Sequence, residues 1–197
     1  MALFTRESQP PIFNNSRQYK PFLRVDFRAR CAYCERPEEY LGGEESFEVE
    51  HFHPKSKFPQ LDSVYSNLYY ACRGCNAHKS ETWPSDEQTS RGMHFVDPCV
   101  ADPYIHDLSE EDDGSVTGTT PSGIYSSAHI RLHREELKRW RRLRAQALTD
   151  LPVLVASIGY FEQLRSVTPG SEHGELEARI SVLKRYIEET KRRFGID

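Results

Sequence analysis

The hydrophobic pattern changes character along the chain. Phe47–Phe52 reads as a strand, and Leu68–Ala71 is a second short apolar strand that we pair antiparallel with the first. Asn76–Ser80 begins a helix directly after it. Upstream, Lys20–Ala29 predicts a short helix, with Pro21 in its first turn and Phe22, Val25 and Ala29 near one face. From about Ser126 the pattern is helical, carried by Leu132, Leu137, Trp140, Ala147, Leu148 and Leu151. Leu154, Val155 and Ile158 extend this stripe past Pro152, which should kink or restart the helix. A last helix from about Glu175 buries Leu176, Ile180, Leu183, Ile187 and Phe194 and stops near Gly195.

Turn chemistry fills the gaps. Residues 1–16 read as an extended arm broken by Pro10-Pro11 and packed through Phe4, Ile12 and Phe13. Residues 35–45 form a polar loop that turns at Gly42-Gly43, and a long loop follows Pro54. Thr82–Asp107 is irregular, Glu110–Asp113 is an acidic turn, SVTGTTPSG is a hairpin or loop, and Thr168–Gly174 is a linker. The predicted fold class is α+β: a β-hairpin followed by a helix (ββα), then a mostly α-helical C-terminal region. We place an N-terminal arm and site-bearing module at residues 1–95 and the helical region at 96–197, packed together as one unit.

At 37% apolar and 28% charged residues, the 197-residue chain has a globular composition. Mean hydropathy is −0.70, no apolar run approaches a membrane span, and the N-terminus has no apolar signal-peptide core, so a cytoplasmic location is expected. The net charge of −4 does not advertise nucleic-acid binding, although a local basic surface suffices for that. Four of the five cysteines form two CxxC pairs, Cys31/Cys34 and Cys72/Cys75. In a reducing compartment this pairing favours a shared structural Zn²⁺ over disulfides.

Between the two knuckles lies the acid-histidine dipeptide Glu50-His51. Phosphodiester hydrolysis needs a deprotonated water, charge neutralisation at the phosphate and help for the leaving oxygen. His51 can accept the proton near neutral pH. Glu50 and the amide oxygen of Asn76 suit Mg²⁺ or Mn²⁺, which prefer oxygen ligands. In a regular strand Glu50 and His51 would face opposite ways, so they share a site only where the strand ends or bulges. Asn67, opening the second strand, is placed to bond the loop after His51. His53, Lys55, Lys57 and Lys79 are candidates to contact substrate phosphate; Lys79 falls three residues after Asn76 on the same helical face.

Residues 31–80, through CAYC, EHFHPKS, Asn67-Leu68 and CRGCNAHK, resemble the HNH endonucleases, the ββα-metal nucleases. The resemblance implies His51 as general base, Glu50 and Asn76 as Mg²⁺ ligands, a structural Asn67, and zinc on Cys31, Cys34, Cys72 and Cys75. Glutamate stands where aspartate is more frequent in that family, and Asn76 where a final histidine is more frequent; both keep an oxygen ligand. FVDPCVADPYIHDL and the helical tail are similar to HNH proteins of Septu-type and retron-associated anti-phage systems, which implies an ABC/SMC-like ATPase partner. The expected activity is a metal-dependent endonuclease, with DNA favoured over RNA. The other reading is a non-catalytic zinc module that binds nucleic acid or a partner. The basic stretch 131–144 fits a nucleic-acid backbone, a charged outer face or a partner surface, and His129/His133 have the i, i+4 spacing of metal ligands.

Overall fold

The computed structural model describes residues 2–6 and 8–196; positions 1 and 7 of the expected arm, and 197, lie outside the described residues. It divides into two compact units, Met1–Trp140 and Arg141–Asp197.

In the first unit the arm leads through a turn at Ser16–Tyr19 into α1 (Lys20–Asp26). Phe4 is buried and Phe13 packs edge-on against Tyr19 at 5.0 Å, but Ile12 is exposed. The buried face of α1 is Leu23, Asp26 and Phe27; Val25, expected inside, points to solvent. The helix ends at Asp26 because Arg28 and Ala29 take left-handed backbone conformations, which turn the chain toward Cys31.

The predicted hairpin is present. Strand β1 (Phe47–His51) pairs antiparallel with β2 (Leu68–Cys72), with Phe47 opposite Cys72 and His51 opposite Leu68. All of β2 is buried, so both faces of the strand pack. Tyr69 meets Phe27 and Phe52 at 5.4 and 5.0 Å, while its neighbour Tyr70 stacks on Phe47 at 4.6 Å. Helix α2 (Arg73–Lys79) starts three residues earlier than the sequence pattern indicated. Cys72 is its N-cap, so Cys75 falls in the first turn and Ser80, at φ 48°, closes the helix.

Two short helices, α3 (Asp86–Ser90) and α4 (Pro103–His106), interrupt the segment expected to be irregular. A small hairpin, β3 (Leu108–Glu110) with β4 (Val116–Gly118), turns around the acidic run. It packs closely on α5 (Pro121–Ile130): a Cβ on Gly118 would sit 2.0 Å from the Ile124 nitrogen, and one on Gly123 only 1.8 Å from the Asp107 carbonyl. Only glycine permits that approach.

Helix α6 (Glu135–Val167) opens in the first unit and runs through Pro152 without restarting. Pro152 and Leu148 are both exposed, so water can take the carbonyl that the proline leaves without its donor. Within the second unit α6 is followed by α7 (His173–Phe194), ended by Gly195 at φ 60°. Glu162–Lys184 and Arg165–Glu177, each at 3.0 Å, link the two helices as a hairpin, and Ala147, Leu151, Ile180 and Ile187 are its buried positions. Among the described residues no helix is long and apolar enough to cross a membrane.

Candidate active site and four-cysteine metal centre

The first knuckle is a tight turn clamped at its base. Arg30 bridges Pro37, the Cys31 amide donates to the Arg36 carbonyl at 3.0 Å, and the Ala32 amide donates to the Tyr70 carbonyl at 2.8 Å. The second knuckle is the β2–α2 junction. Together they bring the Sγ atoms of Cys31, Cys34, Cys72 and Cys75 within 4.8 Å of one another, all buried. Four soft thiolate donors at this separation are the ligand set of a tetrahedral structural zinc site. Four thiolates around one dication carry net negative charge. Arg134, whose Nη2 donates to Cys75 Sγ at 3.4 Å, and the buried Arg36 offset it. Burial pulls the Arg36 guanidinium down, but the surrounding sulfurs hold it above its ordinary value.

A separate cleft of roughly 570 Å³ has Glu48, Glu50, His51 and Asn76 among its lining residues. Every residue of β1 borders the cleft, so Glu50 and His51 both line it although they are neighbours in the strand. Glu50 is almost fully buried, and Lys79 Nζ meets its Oε1 at 2.6 Å. Burial raises the Glu50 carboxyl above the usual carboxylate range, against the pull of the Lys79 ammonium. Its Oε2 makes no close hydrogen bond among the described residues, and the buried Tyr33 hydroxyl, also without one, lies near enough to interact with the carboxylate. Asn76 Nδ2 donates to Glu48 Oε2 at 2.6 Å, which leaves Oδ1 as an open acceptor. An orphaned carboxylate oxygen and an open amide oxygen are hard donors that fit Mg²⁺ or Mn²⁺.

His51 Nε2 lies 2.9 Å from the Asp62 carbonyl and 3.0 Å from Asp62 Oδ1. Two acceptors on one nitrogen place the proton of the neutral ring on Nε2 and leave Nδ1 as the basic atom. The loop carrying Asp62 is held by Asn67. Its Oδ1 accepts from the His53 amide at 2.8 Å, and its Nδ2 donates to the His53 and Leu61 carbonyls at 3.1 and 3.2 Å.

The substrate candidates divide. Lys55 lines the cleft and is exposed. Lys57 is exposed but does not line it, and its Nζ reaches the Trp83 carbonyl at 3.4 Å. His53 lies beyond the end of β1, so it does not share a strand face with His51. Its ring bonds Asn67 Oδ1 and packs on Trp83 at 4.3 Å. Lys79 is fully buried and donates to the His51 carbonyl at 3.0 Å as well as pairing with Glu50, so it cannot meet a phosphate at the surface. The stretch 131–144 is not one basic helix. Residues 131–134 form the turn between α5 and α6, Arg134 faces the thiols, and Lys138 approaches Asp113 at 3.6 Å. α5 ends before His133, which separates it from His129.

Asp62 and Glu48 were not singled out by the sequence. Glu48 carried a signal, since period-two alternation puts it on the face of Glu50. Asp62 carried none; only closure of the loop brings it to His51.

With this geometry in hand, the comparison with known proteins is specific. Residues 31–82 match the family model described as HNH endonuclease, and this zinc-knuckle ββα module is an HNH domain. The chain is also similar to the Septu protein PtuB of Bacillus thuringiensis, 29% identical over 100 residues, a match covering 47% of this chain. The match spans about a third (34%) of that relative's length.

Proposed function

We propose that the chain is a divalent-cation-dependent HNH endonuclease that hydrolyses phosphodiester bonds, with DNA the favoured substrate. The observation that carries this is the pairing of an oriented histidine with two residues that offer hard oxygen donors, Glu50 and Asn76, all three lining one cleft. His51 Nδ1 takes the proton of the attacking water, and the Asp62 oxygens stabilise the imidazolium that results. Asn67 keeps the Asp62 loop in register. Glu50 and Asn76 would hold Mg²⁺ or Mn²⁺, which when bound supplies charge neutralisation at the phosphate and the leaving 3′-oxygen. The products are a 5′-phosphate and a 3′-hydroxyl. Cys31, Cys34, Cys72 and Cys75 hold one structural Zn²⁺. The resemblance to a Septu protein supports a role as effector of an anti-phage system, with an ATPase as partner and the helical C-terminal region as the part that binds partner or nucleic acid.

The test is cleavage of plasmid DNA and total RNA with EDTA, Mg²⁺ or Mn²⁺, comparing wild type with His51→Ala. We expect metal-dependent cutting of DNA that falls about 10²–10⁴-fold in the variant, while zinc content stays at one per chain. Equal cutting by both proteins would remove His51 as the base. Cutting of RNA alone would reassign the substrate.

A further inference from the structure

The cleft is not built by the HNH module alone. The family match begins at residue 31, yet Arg17 and Lys20, from the segment before it, line the same cleft as Glu50, His51 and Asn76. That segment is fixed in place. Asn15 caps the turn by accepting from the Arg17 amide at 3.0 Å, and the buried Tyr19 packs against Tyr65 at 5.2 Å. Ser63 donates to the Asn14 carbonyl at 3.2 Å, which ties the arm to the residue after Asp62. Lys20 Nζ donates to the Glu44 carbonyl at 2.9 Å and lies 3.7 Å from the Glu44 carboxylate, so it is the most constrained of the cleft's three cations. Arg17 and Lys55 are exposed, and among the described residues no acidic group pairs with either.

The cleft carries both signs: Glu48 and Glu50 from β1 and Glu81 just past α2, against the cations Arg17, Lys20 and Lys55 contributed by the arm and the loop after His51. In a chain of net charge −4, three cations on one cleft, two of them paired with no acidic group among the described residues, give an anion a local footing. Resting on the nuclease reading above, we infer that Arg17, Lys20 and Lys55 form the phosphate-binding rim of the cleft. They seat the DNA backbone on either side of the scissile bond, so the N-terminal arm is part of the substrate site. Backbone phosphates need no base edge to be recognised, and such contacts set affinity and register without reading sequence.

The experiment is fluorescence-anisotropy binding of a labelled duplex DNA by the full-length, zinc-loaded chain carrying His51→Ala, across a salt series. The same titration is made with Arg17→Ala/Lys55→Ala added, with Arg91→Ala added as a remote control, and with single-stranded RNA of equal length. We expect the double substitution to weaken DNA binding about tenfold and to flatten the plot of log K against log salt by about 2, one for each lost phosphate contact. The control should leave both unchanged. An unchanged salt slope in the double variant, with binding intact in the His51→Ala parent and cleavage intact in the wild type, overturns the rim assignment and leaves the nuclease reading standing. Tighter, rim-dependent binding of RNA overturns the choice of DNA. A wild-type chain that neither binds nor cuts any polynucleotide overturns the nuclease reading and the rim with it.

Discussion

Lys79 shows how much a single buried charge can decide. Its ammonium is fully enclosed, and Glu50, the Oε1 of which it meets at 2.6 Å, is nearly so. Removing one partner of such a pair leaves a charge in a low-dielectric site, which typically costs about 3–5 kcal/mol. Lys79→Met should therefore lower the denaturant midpoint sharply, whereas Lys79→Met/Glu50→Leu, which removes both charges, should recover most of the loss. A Lys79→Met protein as stable as wild type would mean that the pair does not hold the hairpin to α2. The residue types that carry chemistry by themselves, such as two CxxC pairs or an acid next to a histidine, were legible in the sequence. The environment of Lys79 was not. Its spacing from Asn76 suggested a shared exposed face, but α2 begins at Arg73 and turns Lys79 inward over Phe95, 5.1 Å from the ring centre. Asp62 was illegible for a different reason. Its part depends on where a loop closes, and no local pattern encodes that.

Among the elements, α1 and β2 are joined through the loop after the first knuckle. Glu38 accepts hydrogen bonds from Arg24 of α1 and, at 2.8 Å, from the Tyr70 hydroxyl of β2. Burial pushes the Glu38 carboxyl up, but those two partners outweigh it and hold it below its ordinary value. A carboxyl that is more acidic in the fold than in the unfolded chain stabilises the fold above its unfolded pKa. That stability is lost as pH falls through the folded value. Glu38→Gln should thus cost about 2 kcal/mol at neutral pH. The gap to wild type should begin to narrow as pH drops below about 4.3, the unfolded value. Paired urea titrations at pH 7 and in acid check this, and a gap that widens in acid would contradict it. Strand pairing was readable at this scale because two short apolar runs follow one another in the chain, and consecutive strands usually pair even across a long loop. Helix faces were less so. On α1 the buried positions are Leu23 and Phe27 rather than Val25, since three apolar residues in one short helix allow more than one stripe and only the partner surface selects among them. Pro152 was over-read as a break because solvent can satisfy what a proline leaves open on an exposed face.

For the whole molecule, the α+β class and the order of hairpin, helix and helical tail follow from the sequence pattern, and the structure sets the four-thiol cluster apart from the proposed Glu50–Asn76 site. The four thiols join segments 31–34 and 72–75 across the hairpin, and they do so from inside the core. Without a cation these buried sulfurs would either repel as thiolates or bury weak, poorly satisfied thiols. Metal binding there is therefore folding free energy, on the scale of the roughly 10–16 kcal/mol seen for structural zinc in small modules. The Glu50–Asn76 site is different in kind. Lys79 compensates Glu50 from within the fold, so Mg²⁺ held there would add stability only by mass action, about 0.4 kcal/mol when its concentration equals its Kd. Two treatments should separate the sites. Releasing zinc with an organomercurial should free one equivalent per chain and collapse the melting transition. Removing Mg²⁺ by desalting should leave the melting temperature within a few degrees while abolishing cleavage. A chain that keeps its melting transition after zinc release would place the source of rigidity in the aromatic core around Tyr69 and Phe27 instead. A chain that melts on loss of Mg²⁺ would mean that Lys79 does not neutralise Glu50 in solution, and the description of the cleft as preformed would fall with it.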